Sequence, residues 1–279
     1  MRTPSYRLLE PDEPPAVDLR RPYGTSAVFL TCDHAGRSMP RRLGRLGLPE
    51  AEFERHIAWD IGAAAVAELL SARLDATLVL QRYSRLVIDC NRPPTVPSAI
   101  PTISETTEIP GNRDLPAENV LARVREIFDP YHDRIDAELT LRRRAGRPTV
   151  LVSVHSFTPV FRGESRSLHL GLLYNRDSRF AGHLAAALAD SNLVVAHNQP
   201  YAVGDLTDYT IPVHGERRGI PHVMLEIRQD LVADARGQEE WADRLEGLLA
   251  DAWARLRTEI QSGGVHCGDA IAGSMNGLK

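Results

Sequence analysis

Two histidines of this chain follow directly after short apolar runs. His34 comes shortly after Ala27–Thr31, and His155 comes directly after Thr149–Val154. Such runs are typical of buried strands, and ligands of open α/β sheets bind beyond the carboxyl ends of the strands. A catalytic zinc ion commonly has three protein ligands, such as two histidines and one carboxylate, and binds water at its fourth coordination position. The pattern suggests such a site, although a single histidine after a strand is more often a hydrogen-bonded structural residue.

Further polar side chains stand at comparable places. Asp89, Asn91 and Arg92 follow an apolar run, and Glu226 interrupts another one. A buried glutamate needs a partner, so Glu226 is a candidate for chemistry. Ser156 lies beside a histidine, but no GxSxG motif accompanies it, which disfavours a serine hydrolase.

The overall composition excludes several classes of partner. The net charge is −4 and the sequence pI is about 6.2, so no basic field favours nucleic acid. Apolar stretches fall short of the roughly 20 residues that cross a bilayer. The N-terminus lacks the apolar core of a secretory signal, and the three cysteines are far apart. We therefore predict a cytoplasmic protein with reduced thiols, acting without nucleic acid or membrane.

Hydrophobic periodicity predicts the elements that position these residues. Strands are predicted at Ala27–Thr31, Thr77–Leu80, Leu86–Asp89, Thr149–Val154, Leu168–Leu173, Leu193–Ala196 and His222–Ile227. Helices are predicted at Glu50–Leu74 with a break near Asp60, and at Pro116–Arg144, Ala181–Asp190 and Glu239–Ile260. The proline-rich stretch Pro93–Pro116 is predicted to be a long loop.

Alternating strands and helices predict an α/β fold with a mixed, mostly parallel central sheet flanked by helices. Residues 1–262 are predicted to form a single domain. The glycine-rich residues 263–279 are predicted to form a flexible C-terminal tail.

Several ordered motifs, which together extend from Ala27 to Leu231, resemble the N-formylglutamate amidohydrolase family. They are TCDHAGRSMP (31–40), HIAWDIG (56–62), YSRLVIDCNRP (83–93), SVHSFTP (153–159), NQPY (198–201) and HVMLEIRQDL (222–231). That family resembles the zinc carboxypeptidase and aspartoacylase class. The resemblance implies a zinc-dependent exopeptidase-like fold, Zn²⁺ as cofactor, and hydrolysis of N-formyl-L-glutamate or a related small N-acyl amino acid by zinc-activated water.

The resemblance also implies which residues hold the metal. His34 and His155 match the first and last metal-binding histidines of the wider class. That class has a glutamate three residues after the first histidine, where this chain has Arg37, which cannot bind a cation. Asp60 is the preferred substitute as third ligand. The two aspartates Asp33 and Asp89 remain alternatives.

The remaining candidate roles come partly from the same resemblance and partly from the residue types. Glu226 matches the general base of the class, and His214 is a candidate for stabilising the oxyanion or orienting the substrate. Asn91 and Arg92 resemble a pair that grips a substrate carboxylate, unless they form a structural salt bridge with an acid such as Asp89. Candidates for a second anionic clamp are Arg85, Arg166 and Arg228.

Two other functions fit the same residues. The missing glutamate at position 37 is compatible with a non-catalytic carboxylate-binding protein on the same scaffold. A zinc carboxypeptidase that acts on peptides is the other alternative. The sequence leaves the acyl group, the amino-acid side chain and the oligomeric state open.

Overall fold

Residues 6–262, the part of the chain that the computed structural model describes, form strands and helices in alternation. The strands are β1 (Val17–Arg20), β2 (Val28–Cys32), β3 (Thr77–Gln81), β4 (Ile103–Ser104), β5 (Thr107–Glu108), β6 (Val150–Phe157), β7 (Val160–Phe161), β8 (Glu164–Ser165), β9 (Leu170–Leu173), β10 (Val195–His197) and β11 (His222–Arg228). The α-helices are α1 (Ala63–Leu74), α2 (Ala117–Arg123), α3 (Asp129–Arg144), α4 (Arg179–Leu188) and α5 (Ala235–Gln261). The predicted tail, residues 263–279, lies outside the described residues.

Seven strands form one central sheet in the order β1-β3-β2-β6-β11-β9-β10. The four strands β3, β2, β6 and β11 are parallel to one another. Strand β1 is antiparallel to β3, and β9 is antiparallel to β11 but parallel to β10. The prediction of a mixed, mostly parallel sheet is confirmed.

Helices cover both faces of this sheet because the buried central strands are apolar on both sides. On β6, Val150, Val152 and Val154 pack into one apolar cluster together with α1, α4 and α5. Leu151 points to the opposite face, into a cluster with α3. Side chains alternate along a strand, so Ser153 and His155 share the α3 side with Leu151. No helix within residues 6–262 combines the length and the apolar character needed to cross a membrane.

The prediction of a strand over Leu86–Asp89 is wrong. The segment is irregular, although Leu86, Val87 and Ile88 are fully buried. Its backbone forms a turn hydrogen bond from the Val87 amide to the Ser84 carbonyl at 2.9 Å, and the Asp89 amide donates to the more distant Ala99 carbonyl at 2.7 Å. An apolar run indicates burial but does not specify a strand. Here the side chains are buried in the core while the backbone stays outside the sheet.

The predicted break near Asp60 is observed and is wider than expected. A short 3₁₀ turn spans Glu50–Glu54, and α1 begins only at Ala63. Asp60 therefore lies in the turn that precedes α1. The predicted helix Pro116–Arg144 is continuous from Ala117 but contains a π-helical turn over Val124–Phe128. The predicted loop Pro93–Pro116 contains the small hairpin β4–β5.

Gly62 is required by the turn before α1. Its φ is +79°, and a Cβ atom added there would lie 2.2 Å from the Val232 carbonyl oxygen. We expect Gly62→Ala to lower the free energy of unfolding by at least about 1 kcal/mol, because an L-residue is strained at this φ and also meets the backbone. Urea unfolding measures the effect. In the control Gly247→Ala, on α5 with nothing within 4 Å, stability should stay equal or rise; an equal loss in both variants would contradict the explanation.

Candidate active site

Three side chains converge at the carboxyl ends of the central parallel strands. His34 follows the last residue of β2 by two positions, and His155 lies within β6, which extends to Phe157 rather than ending at residue 154 as predicted. Asp60 is held beside them because its backbone amide donates to the His34 carbonyl at 3.0 Å. All three residues are buried.

These three side chains face one another. The Nδ1 atoms of His34 and His155 lie 3.3 and 2.9 Å from the same atom, Asp60 Oδ2. One potential ligand atom from each residue lies within 4.8 Å of the others, so the group could bind a metal ion. Two imidazoles and one carboxylate are a donor set that suits zinc.

Two further carboxylates contact the histidine rings at the Nε2 atoms, on the side opposite Asp60. His34 Nε2 lies 2.7 Å from Asp89 Oδ1, and His155 Nε2 lies 2.8 Å from Asp33 Oδ2. Both aspartates are saturated with other donors, which are Tyr131, Ser153 and Thr210 for Asp33, and Arg85 and the Asn91 amide for Asp89. A carboxylate behind a ligating histidine fixes the ring orientation and its basicity. The geometry thus favours Asp60 over Asp33 and Asp89 as the third ligand.

The electrostatics of this group favour a positive charge at its centre. Burial disfavours the charged forms, but hydrogen bonds and charges from the histidines hold the pKa of Asp60 and of Asp33 below the ordinary range. Burial by itself would lower the pKa of His155, but the carboxylates of Asp33 and Asp60 raise it well above its usual value. The shifted pKa values show that the group retains protons on its histidines beside ionised aspartates. A metal cation that binds there would replace these protons, because metal ligands must be deprotonated.

We expect Asp33→Asn to weaken zinc binding by about 10- to 100-fold, because the amide cannot support His155 as a carboxylate does. Competition with a fluorescent chelator measures the affinity. Asp190→Asn, at an exposed position, is the matched control. If Asp33→Asn bound zinc as tightly as this control, the supporting role of Asp33 would be refuted.

A cavity of about 480 Å³ opens beside the three residues. Its wall includes His34, Asp60, Arg85, Asp89, Asn91, Arg92, Ile103, Glu105, His155, Phe157, Phe161, Leu173, Tyr201, Asp208, Met224, Glu226 and Gln229. The cavity is large enough for a small-molecule ligand and has both polar and apolar surfaces.

Glu226 lies in this cavity next to the histidine group. It pairs in register with His155, on the neighbouring parallel strand β11. Glu226 is buried, and its Oε2 atom has no hydrogen-bond partner among the described residues. Burial raises the pKa of Glu226 to about 7. A carboxylate with a pKa near neutrality is suited to accept and return a proton.

The predicted substrate-binding residues near residue 90 differ in how they are engaged. Arg85 forms ion pairs with Asp60 and Asp89 at 3.2 and 2.7 Å, so its charge is neutralised. The Asn91 side chain donates to Asp208 and accepts from the backbone amides of Tyr209 and Thr210. These hydrogen bonds fix the position of the loop around residue 208. Arg92 also lines the cavity, and its guanidinium has no hydrogen-bond or ion-pair partner among residues 6–262.

Three other predicted residues do not line the cavity. Arg228 pairs with Asp230 at 2.7 Å, and Arg166 donates to the Tyr201 hydroxyl at 3.0 Å. His214 is buried elsewhere, with its Nε2 atom 3.0 Å from His132 Nδ1. Burial, reinforced by His132, lowers the pKa of His214 well below the usual value, so its ring is neutral.

Arg37, which stands where the wider class has a glutamate, is engaged with residues outside the histidine group. Its guanidinium stacks over the Trp59 ring at 5.2 Å and pairs with Glu54. The structure also brings Tyr201 and Asp208 into the cavity, to which the sequence analysis gave no role. Tyr201 belongs to the NQPY motif, which could have marked it as a site residue. Asp208 lies in none of the motifs named above.

Comparison with known proteins identifies relatives of this chain. The sequence model of the N-formylglutamate amidohydrolase family matches residues 26–233. A solved gene product from Agrobacterium tumefaciens is 41% identical, with a TM-score of 0.88, over 90% of this chain and 100% of its own. An N-formylglutamate amidohydrolase from Ralstonia eutropha JMP134 is 20% identical, with a TM-score of 0.64, over 87% of this chain and 99% of its own. No curated protein gave a significant match.

The mixed sheet and the family match together support an amidohydrolase role. Because the family model covers most of the chain, the chain belongs to the N-formylglutamate amidohydrolase family. The predicted family is confirmed.

Proposed function

We propose that this protein is a metal-dependent hydrolase that cleaves the amide of N-formyl-L-glutamate or a related small N-acyl amino acid. The observation that carries the proposal is the Glu226 carboxylate, whose Oε2 atom has no hydrogen-bond partner in the described part of the chain and which lines the same cavity as the His34, Asp60 and His155 group. A buried carboxylate without a partner is costly to the fold, and a role in proton transfer accounts for it.

The donor set supports zinc as the cofactor. His34, Asp60 and His155 would hold the ion, and Asp89 and Asp33 would orient the two rings. When bound, a zinc ion polarises the acyl carbonyl and acidifies water. Of the cavity residues, Arg92 is the group suited to bind the α-carboxylate of the substrate, because its guanidinium offers parallel donors that no group within residues 6–262 occupies.

The chain's own residues account for the proton transfers of the reaction. Glu226, in its carboxylate form, accepts a proton from the water that attacks the acyl carbon. It then delivers this proton to the amine nitrogen as the carbon–nitrogen bond breaks. The products are a carboxylic acid, formate in the case of a formyl group, and the free amino acid.

Zinc content and hydrolysis, measured on the same purified protein, test the proposal. We expect about one zinc per chain and release of formate from N-formyl-L-glutamate or another N-formyl amino acid. Zinc and ligand binding without any turnover would instead support a carboxylate-binding protein. Cleavage of dipeptides in preference to all N-formyl amino acids would support a zinc carboxypeptidase.

We expect Arg92→Ala to raise KM by about 10- to 100-fold, because it removes a charged hydrogen-bond partner of the substrate carboxylate. The value of kcat should change less, since Arg92 does not contact the reacting bond in this proposal. Steady-state kinetics separate the two parameters. Arg236→Ala, at an exposed position on α5, is the control; an unchanged KM in Arg92→Ala would exclude this role.

A further inference from the structure

Arg166 lies behind the aromatic part of the cavity wall. Its guanidinium lies 4.7 Å from the ring centre of Phe161, 5.2 Å from that of Tyr201 and 5.8 Å from that of Phe157. All three rings line the cavity, whereas Arg166 does not. Within residues 6–262 this guanidinium has no acidic partner, and it donates a hydrogen bond to the Tyr201 hydroxyl at 3.0 Å. A positive charge that no acid of the described chain pairs with therefore stands behind this wall.

The hydrogen bond from Arg166 determines what the Tyr201 hydroxyl can do. A guanidinium only donates hydrogen bonds, so the phenol oxygen is the acceptor and its own hydrogen is left for another group. No acceptor for this hydrogen lies within the described residues. Burial raises the pKa of Tyr201, so the hydroxyl keeps its proton at neutral pH. Tyr201 thus offers an unused hydrogen-bond donor on the cavity wall.

The backbone places Tyr201 beside the proposed general base. Glu226 on β11 pairs in register with Gly171 on the antiparallel strand β9. A Cβ atom at Gly171 would lie 2.1 Å from the Gln199 carbonyl oxygen, so the segment that leads to Tyr201 crosses directly over this glycine. Tyr201 is 43% exposed, whereas Glu226 is 6% exposed. Tyr201 therefore lies on the outer part of the wall, next to the buried place where the amide is cleaved in the proposed reaction.

A hydroxyl donor with a cation behind it suits an anionic oxygen of the substrate. The charge of Arg166 polarises the phenol, and hydrogen bonds to an ionised partner are roughly twice as strong as those between neutral groups. In the proposed reaction Arg92 binds the α-carboxylate, and the scissile amide lies beside Glu226. The part of the substrate that remains for Tyr201 is the end of the side chain, which extends from the same α-carbon toward the outer part of the wall.

We propose that Tyr201 determines substrate specificity by donating a hydrogen bond to a carboxylate at the end of the substrate side chain, with Arg166 as the positioning residue behind it. This inference rests on the proposed function, because it assumes that the cavity binds an N-acyl amino acid. It narrows the substrate class to N-acyl derivatives of acidic amino acids.

N-formyl-L-glutamate and N-formyl-L-glutamine are a matched pair of test compounds, because they differ in side-chain charge but hardly in shape. On the zinc-loaded wild-type protein, we expect kcat/KM for the glutamate compound to exceed that for the glutamine compound by at least about tenfold. Tyr201→Phe, which removes only the hydroxyl, should lower the value for the glutamate compound by about tenfold and that for the glutamine compound by less than about threefold. The loss should lie mainly in KM.

Variants of Arg166 test its role as the positioning residue. Arg166→Gln keeps a hydrogen-bond donor but removes the charge, so it should reduce the preference for the glutamate compound by about fivefold. Arg166→Lys, which keeps the charge, should retain more of this preference than Arg166→Gln. The matched control is Arg162→Gln, because the Arg162 guanidinium also lies over the Phe161 ring, at 5.3 Å, but does not donate to Tyr201. It should leave the preference unchanged.

The inference would be overturned by a wild-type protein that does not prefer the glutamate compound. An equal loss of kcat for both compounds in Tyr201→Phe would also overturn it, because the hydroxyl would then act at the reacting bond. If Arg166→Gln lost the preference and Tyr201→Phe kept it, Arg166 would bind the substrate directly and the role of Tyr201 would be refuted. Each of these results leaves the proposed function standing.

Binding measurements separate the inference from the proposed function. Calorimetry on the Glu226→Gln variant compares the two compounds without turnover, and the glutamate compound should bind about tenfold more tightly. If the wild-type protein hydrolysed neither compound, the proposed function would fail, and tighter binding of the glutamate compound would still support the inference. Equal binding of the two compounds would overturn it.

Discussion

Glu226→Gln is expected to lower kcat by about 10²- to 10⁴-fold, which is the usual contribution of a general base. Glutamine has nearly the same shape as glutamate but cannot accept a proton from water. Because Glu226 is not one of the three residues proposed to hold zinc, the zinc content should stay unchanged. Steady-state kinetics and metal analysis on the same preparation measure both quantities.

The pH profile provides an independent check on Glu226. The base acts in its deprotonated form, so the wild-type rate should fall as the pH decreases through the pKa of Glu226. Burial raises this pKa to about 7 in the protein without metal, and a bound cation would lower it. The acidic limb should therefore lie at or below about pH 7. A Glu226→Gln variant that retained the wild-type rate would exclude Glu226 as the base.

Asp60→Ala is expected to remove zinc and to reduce turnover by at least about 10³-fold, because the metal supplies several kcal/mol of transition-state stabilisation. The variant also leaves His34 and His155 without the carboxylate that both rings face. Treatment of the wild-type protein with a chelator should give the same loss. Added zinc should restore the treated wild-type protein but not the variant.

The outer aspartate provides the matched comparison for Asp60. Asp33→Asn should keep zinc at saturating concentration and regain most of its activity there, because Asp33 contacts His155 and is not one of the three grouped residues. If Asp33→Asn lost zinc completely while Asp60→Ala retained it, the assignment of the third ligand would be reversed. Full activity of the chelated, metal-free wild-type protein would exclude a metal-dependent reaction.

The fold could be predicted from the sequence where apolar runs were long and isolated. The runs that became β2, β6 and β11 are buried along their length, and the polar residues that end or interrupt them lie at one edge of the sheet. The run Leu86–Asp89 was equally apolar but formed no strand. Hydrophobicity reports burial, whereas strand formation depends on whether a neighbouring strand offers its backbone groups.

The sequence by itself determined the fold class, the family and the location of His34, His155 and Glu226 near strand ends, because these depend on local patterns and ordered motifs. The sequence favoured Asp60 but left Asp33 and Asp89 open as alternatives. The tertiary structure groups Asp60 with the two histidines, whereas Asp33 is enclosed by donors as distant as Thr210, 177 residues away. It likewise separated Arg92, whose guanidinium has no ion pair within residues 6–262, from Arg85, which is paired with Asp60 and Asp89. The physical reason is that the partners of a buried charge come from distant segments, and their positions are set by packing rather than by spacing in the chain.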